Sequence, residues 1–241
     1  MKRATTVAMA VVVSLVLASG AMAGTYGTVS TKILSVSPVL SMATMIQPYD
    51  TGWYTGATGQ FNLQYLTAPP VSLNTAASCV ETQTISVGGT YTYTVVDPWD
   101  VPVPNGPADQ SGGPMGVAKA NYLREFWALA FGSVTNNVTA AAFQLGVWEI
   151  VFEDLPALPP TGWDVTVGKF KANTGVGDPN AAILQANTWL ALVDGTGPMA
   201  TLYGLQSSGA QDYIVSPEPA TLSLLVVGGV LALVRRKRQM A

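Results

Sequence analysis

Histidine is absent from this chain of 241 residues, cysteine occurs once, and charged side chains make up only 10% of it. Without histidine, neither Ser-His-Asp or Cys-His catalysis nor an imidazole metal site is available. A single cysteine forms no internal disulfide and no multi-thiolate metal cluster. We therefore expect no metal and no cofactor. The formal net charge of −3 also lacks the basic excess of nucleic-acid-binding proteins, so nucleic acid is not an expected partner.

The N-terminal segment has the features of an export signal. A basic start precedes an apolar run over residues 7–17, and the small residues that follow are typical of a signal peptidase site. We predict cleavage between Ala23 and Gly24, so that residues 1–23 form a signal helix and signal peptidase is a partner.

The C-terminal segment predicts a short membrane helix. Residues 220–234 carry no charge, and 15 residues at about 1.5 Å per residue span roughly 22 Å of a hydrocarbon core about 30 Å thick. A basic tail follows, made of Arg235, Arg236, Lys237 and Arg238. Because basic flanks favour the cytoplasmic side, we expect a membrane-anchored precursor with its C-terminus inside.

Pro217, Glu218 and Pro219 stand just before this apolar segment. The Pro-Glu-Pro motif, the apolar segment and the basic tail together resemble the PEP-CTERM sorting signal of bacteria that export proteins to an exopolysaccharide-rich surface. The resemblance implies that an exosortase, a membrane-embedded protease, removes the tail near the Pro217-Glu218-Pro219 motif. The alternative is an ordinary tail anchor with a chance Pro-Glu-Pro. Residues 24–216 are then the exported domain, periplasmic, at the cell surface or extracellular.

The exported domain is predicted to be α+β, an antiparallel sheet or sandwich with a helical subdomain of three main helices. Residues 24–96 are expected to be mainly β. Individual strands are predicted over residues 61–66, 79–87, 90–96, 163–170 and 211–215. Helices are predicted over residues 115–131, 139–152 and 178–194, the second capped by Asn136 or Asn137.

Gln144 falls among apolar residues of the second predicted helix. A buried amide must find hydrogen-bond partners or cost a few kcal/mol, so glutamine is unusual at such a position. Trp148, one helical turn later, should lean over the Gln144 side chain. Gly146 costs a helix about 1 kcal/mol relative to alanine, which predicts that another element approaches closely there.

Residues 143–148, Phe-Gln-Leu-Gly-Val-Trp, resemble the apolar-Gln-x-x-apolar-Trp motif of bacterial thioester domains. In that family the glutamine is cross-linked to a cysteine from an earlier strand, so the resemblance implies a thioester between Cys79 and Gln144. Attack of the thiolate on the carboxamide would release ammonia, and an amine on a partner would later open the thioester to a permanent amide.

Other residues are assigned to this predicted site by its chemistry. A thioester needs protection from water, for which three side chains are expected, Phe143, Val147 and Trp148. Because no imidazole is available, the base must be a carboxylate or water, and Glu81 is the nearest carboxylate after Cys79. The alternative is an inert buried Cys79 and a Gln144 that bonds a neighbouring backbone.

Three functions are compatible with these observations. The first is a covalent surface adhesin, which reacts once and is not an enzyme. The second is a structural matrix protein that binds exopolysaccharide non-covalently, for which four aromatic residues are candidates, Trp53, Tyr54, Tyr91 and Tyr93. The third, a hydrolase, lacks an evident acid/base pair, since Glu149 and Glu153 are predicted to lie on the solvated side of their helix.

Overall fold

The computed structural model describes residues 27–46, 52–66, 74–81, 86–103, 112–154, 162–173 and 177–216. The predicted signal peptide with its Ala23–Gly24 cleavage site, the sorting motif, the membrane segment and the basic tail lie outside these residues. Among the residues that are described, no helix is both long enough and apolar enough to cross a bilayer.

The described fold is α+β and contains an antiparallel sheet and three α-helices, as predicted. The strands are β1 (Thr28–Ile46), β2 (Tyr54–Tyr65), β3 (Asn74–Cys79), β4 (Thr90–Val96), β5 (Phe170–Ala172), β6 (Tyr203–Gln206) and β7 (Tyr213–Val215). The helices are α1 (Val117–Ala130), α2 (Asn137–Phe152) and α3 (Asp178–Leu190).

The strands form one sheet that closes on itself. Its order is β2-β3-β7-β6-β4-β1-β5, and β1 also pairs with β2, so six strands make a ring and β5 extends one end of β1. Two register shifts bend the 19-residue β1 so that it serves several neighbours. At the second shift, a Cβ on Gly59 would lie 2.8 Å from Val39 Cα, so this close approach requires glycine.

Helix α2 is the centre of the molecule. It packs against β1 and β2 and also against α1 and α3, and every residue from Ala140 to Phe152 is buried. Its first turn is closed by a capping box, in which Asn136 Oδ1 accepts the Thr139 N–H at 2.9 Å and Thr139 Oγ1 accepts the Asn136 N–H at 3.0 Å. A Cβ on Gly146 would overlap the Phe126 ring of α1, which confirms the predicted close approach.

The position of α2 overturns one prediction. Glu149 is buried rather than solvated, with 2% of its surface exposed, and Glu153 is half-buried. The prediction assumed an amphipathic helix with one solvated face, whereas α2 is surrounded by other elements on all sides.

Two predicted strands are misplaced. Of residues 163–170, only Phe170 belongs to a strand; Asp164 instead accepts hydrogen bonds from the Thr166 N–H at 2.9 Å and hydroxyl at 2.7 Å, which favours a turn. The strand predicted to begin at Cys79 ends there, and Val80 and Glu81 form a bend. In the segment over residues 163–170, Trp163 and Val165 are buried although the backbone there is irregular, whereas Val167 is exposed. The strand over residues 90–96 is confirmed.

Candidate functional site

Cys79 is the last residue of β3, and at this position β3 no longer pairs with β2. The ladder between β2 and β3 stops at the pair Phe61 and Ala77, while Cys79 lies opposite Tyr213 on β7. The Val80 N–H bonds the Asp212 carbonyl at 3.1 Å, so the preceding residue, Cys79, turns its own N–H and C=O away from β7. These two backbone groups need partners from outside the sheet.

Gln144 supplies both partners. Its Oε1 accepts the Cys79 N–H at 3.2 Å, and its Nε2 donates to the Cys79 carbonyl at 2.8 Å. The carboxamide thus takes the place that a β2 residue would occupy in the ladder. Both residues are buried, with 2% of Cys79 and 1% of Gln144 exposed, so the structure brings the predicted pair together in a dry setting.

The groups around Cys79 shift the pKa of its thiol in opposite directions. Burial raises the pKa of the thiol far above its usual value, and the negative charge of Glu81 adds to the rise. Three donors oppose it by favouring the thiolate, namely the backbone N–H groups of Cys79 and Glu81 and the indole N–H of Trp148. The resting thiol is therefore protonated, and its ionisation requires a nearby base.

Glu81 lies in the bend directly after β3 rather than on the strand. Only 2% of its surface is exposed, and burial, followed by the charge of Asp212, raises its pKa to about 7. The pKa of Asp212 is itself raised to about 6 by burial, although its Oδ1 accepts the Ser207 N–H at 2.7 Å. A carboxyl group with a pKa near neutral pH is suited to accept and return a proton.

Residues at the start of β7 also border this site, and they were not predicted from the sequence. Asp212 and Gln211 precede β7, and Gln211 Nε2 donates to the Glu81 carbonyl at 3.3 Å. The Tyr213 ring lies edge-on to the rings of Phe61 and Tyr93, at centroid distances of 5.1 and 5.9 Å. The available signal was two polar residues at the start of an apolar strand, but only the sheet topology puts that strand beside Cys79.

The three side chains assigned to cover the site occupy different places. Val147 and Trp148 are buried, and the Trp148 ring lies 5.9 Å from that of Phe170. The Phe143 ring instead belongs to a cluster with α1 and the turn after it, made of Phe126, Trp127 and Phe131. Phe143 therefore packs α2 against α1 and the turn that follows it.

The four candidate sugar-binding aromatics are also separated. Trp53 and Tyr54 are 46% and 45% exposed, whereas Tyr93 is fully buried and Tyr91 is half-buried. Tyr54 pairs with Thr44 near one end of β1, and Tyr91 pairs with Thr31 near the other. They do not form a single stacking surface.

Comparisons with protein-family models, with curated proteins and with solved structures find no match to this chain. In the described part of the chain, no group of three or more His, Cys, Asp or Glu side chains is arranged to hold a metal ion. A function is therefore inferred from the geometry around Cys79 and Gln144.

Proposed function

We propose that Cys79 and Gln144 form an internal thioester, through which the exported protein captures an amine-bearing partner covalently. The observation that carries this proposal is the pair of reciprocal hydrogen bonds, 3.2 and 2.8 Å long, between the Gln144 carboxamide and the Cys79 backbone. They fix the carboxamide beside the residue that bears the thiol, which provides the proximity that an intramolecular attack requires.

The reaction conserves atoms without an external reagent. The Cys79 sulfur attacks the Gln144 Cδ, and the Cδ–Sγ bond forms as the Cδ–Nε2 bond breaks. The thiol proton passes to the departing nitrogen, which leaves as ammonia. Charge that develops on Gln144 Oε1 is held by the Cys79 N–H, already 3.2 Å away; the N–H of the nucleophilic residue serves the same purpose in serine proteases.

Glu81 is the group proposed to carry the proton. Its charge influences the thiol, and its pKa of about 7 allows both protonation states at neutral pH. As a carboxylate it accepts the thiol proton, and as the acid it delivers that proton to the leaving nitrogen. Histidine, the usual group for this task, is absent from the chain.

The completed thioester is an activated acyl group held in a buried site. A primary amine opens it by attack on the Gln144 Cδ, which leaves an amide bond to the partner and a free Cys79 thiol. The protein reacts once, so it acts as an adhesin rather than as an enzyme. Its delivery to the cell surface or matrix is proposed from the sorting signal at residues 217–241, with signal peptidase and an exosortase as processing partners.

Intact mass spectrometry of the purified protein tests this function. We expect the mass to fall short of the sequence mass by one ammonia, and the deficit to disappear in Cys79→Ala and in Gln144→Ala. Gln211→Ala is the matched control, because Gln211 is another buried glutamine beside the site and its loss should leave the deficit in place. A full sequence mass in the freshly purified wild-type protein would disprove the proposal.

A second candidate function rests on Trp53 and Tyr54, adjacent aromatic residues about half exposed at the start of β2. Such rings can stack on sugars, so a matrix protein that binds exopolysaccharide without a thioester is the alternative. Full reaction of Cys79 with a thiol reagent in unfolded protein, together with polysaccharide binding that is lost in Trp53→Ala, would favour it.

A further inference from the structure

Trp148 offers the proposed thioester site a hydrogen-bond donor that bonds no other residue in the described part of the chain. Its side chain lies one helical turn after Gln144 on α2 and is 5% exposed. The indole N–H makes no hydrogen bond of ordinary geometry to any residue that the structure describes, but it lowers the pKa of the Cys79 thiol and so favours the thiolate. A buried donor without a partner costs about 1–3 kcal/mol, so its position calls for an explanation.

An unpartnered indole is not by itself unusual in this protein. Trp127 and Trp163 are also buried, and their N–H groups also lack a partner among the described residues. Trp127 stacks on Phe131 and Trp163 lies edge-on to Tyr122 in the helical part of the fold. Trp148 differs from both because it lies one helical turn after Gln144, whose carboxamide is bonded to the Cys79 backbone, and because its N–H lowers the pKa of the Cys79 thiol.

The charges that appear when the thioester opens match the two donors at the site. An amine attacks the Gln144 Cδ, and negative charge first develops on Oε1, which the Cys79 N–H already contacts. The intermediate then collapses, the Cδ–Sγ bond breaks and the electron pair goes to sulfur. The departing sulfur takes the proton released by the attacking nitrogen, and until it does so it is a buried thiolate that needs a donor.

We propose that the indole N–H of Trp148 is the hydrogen-bond donor to the Cys79 sulfur, stabilising it as nucleophile when the thioester forms and as leaving group when an amine opens it. This inference rests on the proposed function and extends it. Trp148 then has a chemical role in addition to excluding water. The Cys79 N–H stabilises charge on Gln144 Oε1, and the Trp148 N–H stabilises charge on the Cys79 sulfur.

The test removes the N–H and keeps the shape of the ring. The full chain is prepared with benzothienylalanine at position 148, in which sulfur replaces the indole N–H, and methylamine is used as the probe. We expect the rate of methylamine incorporation, followed by intact mass, to fall about a hundredfold, as when one donor to a developing charge is removed. The same replacement at Trp163 is the matched control and should leave the rate within twofold of wild type.

The outcomes separate this inference from the proposed function. If the wild-type protein shows no ammonia deficit, the proposed function fails before any substitution is made. If the wild type carries the thioester and the analogue at position 148 opens as fast as the wild type, only the role of Trp148 is overturned. An analogue that folds, as judged by its circular dichroism, but contains no thioester supports the role, because formation uses the same donor. Should the analogue not fold, Trp148→Phe is compared with Trp163→Phe in the same assay: a slower opening in Trp148→Phe alone supports the role, and equal rates overturn it.

Discussion

Gln144 and Glu149 are polar side chains of the same buried helix, and they differ in how completely their polar atoms are hydrogen-bonded. The carboxamide of Gln144 is bonded through both its oxygen and its nitrogen. Glu149 Oε1 accepts the Asp164 N–H at 2.9 Å, whereas its Oε2 has no partner among the described residues. Burial, followed by the charge of Glu153, raises the pKa of Glu149 to about 8.

The difference follows from the chemistry of the two groups. A carboxamide offers a donor and an acceptor without ionising, so it can satisfy the N–H and C=O of one backbone residue. A buried carboxylate brings a charge that must be neutralised, and here protonation achieves this at neutral pH. The contact at Gln144 should therefore stabilise the fold at every pH, whereas the contact at Glu149 should depend on pH.

The largest expected effect comes from breaking the Gln144 contact. The test uses a Cys79→Ala background, in which no cross-link can form. There, Gln144→Ala should lower the free energy of unfolding by about 4 kcal/mol. Two backbone groups of residue 79 lose their partners, at about 1–3 kcal/mol each, and a cavity remains. Urea denaturation measures this. Gln211→Ala in the same background should cost less, since the hydrogen bonds of Gln211 with the Glu81 carbonyl and the Tyr213 hydroxyl are longer, at 3.3 and 3.4 Å. A loss below about 1 kcal/mol would show that the contact is not structurally important.

The apolar face of α2 between these contacts gives the next largest effect. Gly146→Ala should lower the free energy of unfolding by about 2 kcal/mol, although alanine favours helices by about 1 kcal/mol, because the new Cβ would overlap the Phe126 ring. Gly132→Ala is the control, since a Cβ there meets nothing within 4 Å. Thermal unfolding compares the two, and equal midpoints would contradict the close packing of α1 on α2.

The smallest effect sharpens the contrast at Glu149. Its folded pKa is raised from 4.5 to about 8, so the folded state holds its proton more tightly than the unfolded chain does. This contribution to stability is fully present below pH 4.5 and is lost as the pH rises through 8. We expect Glu149→Gln to reduce the fall in unfolding free energy between pH 5 and pH 9.

Denaturation at several pH values checks this expectation. Glu81 and Asp212, whose pKa values are raised in the same direction, should leave a smaller fall in the variant. Asp100→Asn is the control, because the Asp100 side chain is an exposed carboxylate. An unchanged slope in Glu149→Gln would mean that Glu149 is not the group that titrates.

Local patterns predicted the parts of this protein that depend on neighbours in sequence. The Asn136 cap, the strand over residues 90–96 and the close approach at Gly146 follow from side chains within a few positions of one another. The juxtaposition of Cys79 and Gln144 was predicted from a resemblance, and the structure places the two residues in contact. The identity of β7 as the neighbour of β3 had no local signal.

Sequence alone established that this chain has no histidine chemistry, that an amide occupies an apolar helix and that β-structure precedes the helices, since composition and periodicity are local properties. The tertiary structure decided which backbone groups that amide would bond and which carboxylates would be buried away from water. Those outcomes depend on the closure of the sheet into a ring and on the enclosure of α2 by other elements. Both are set by contacts between residues far apart in the chain.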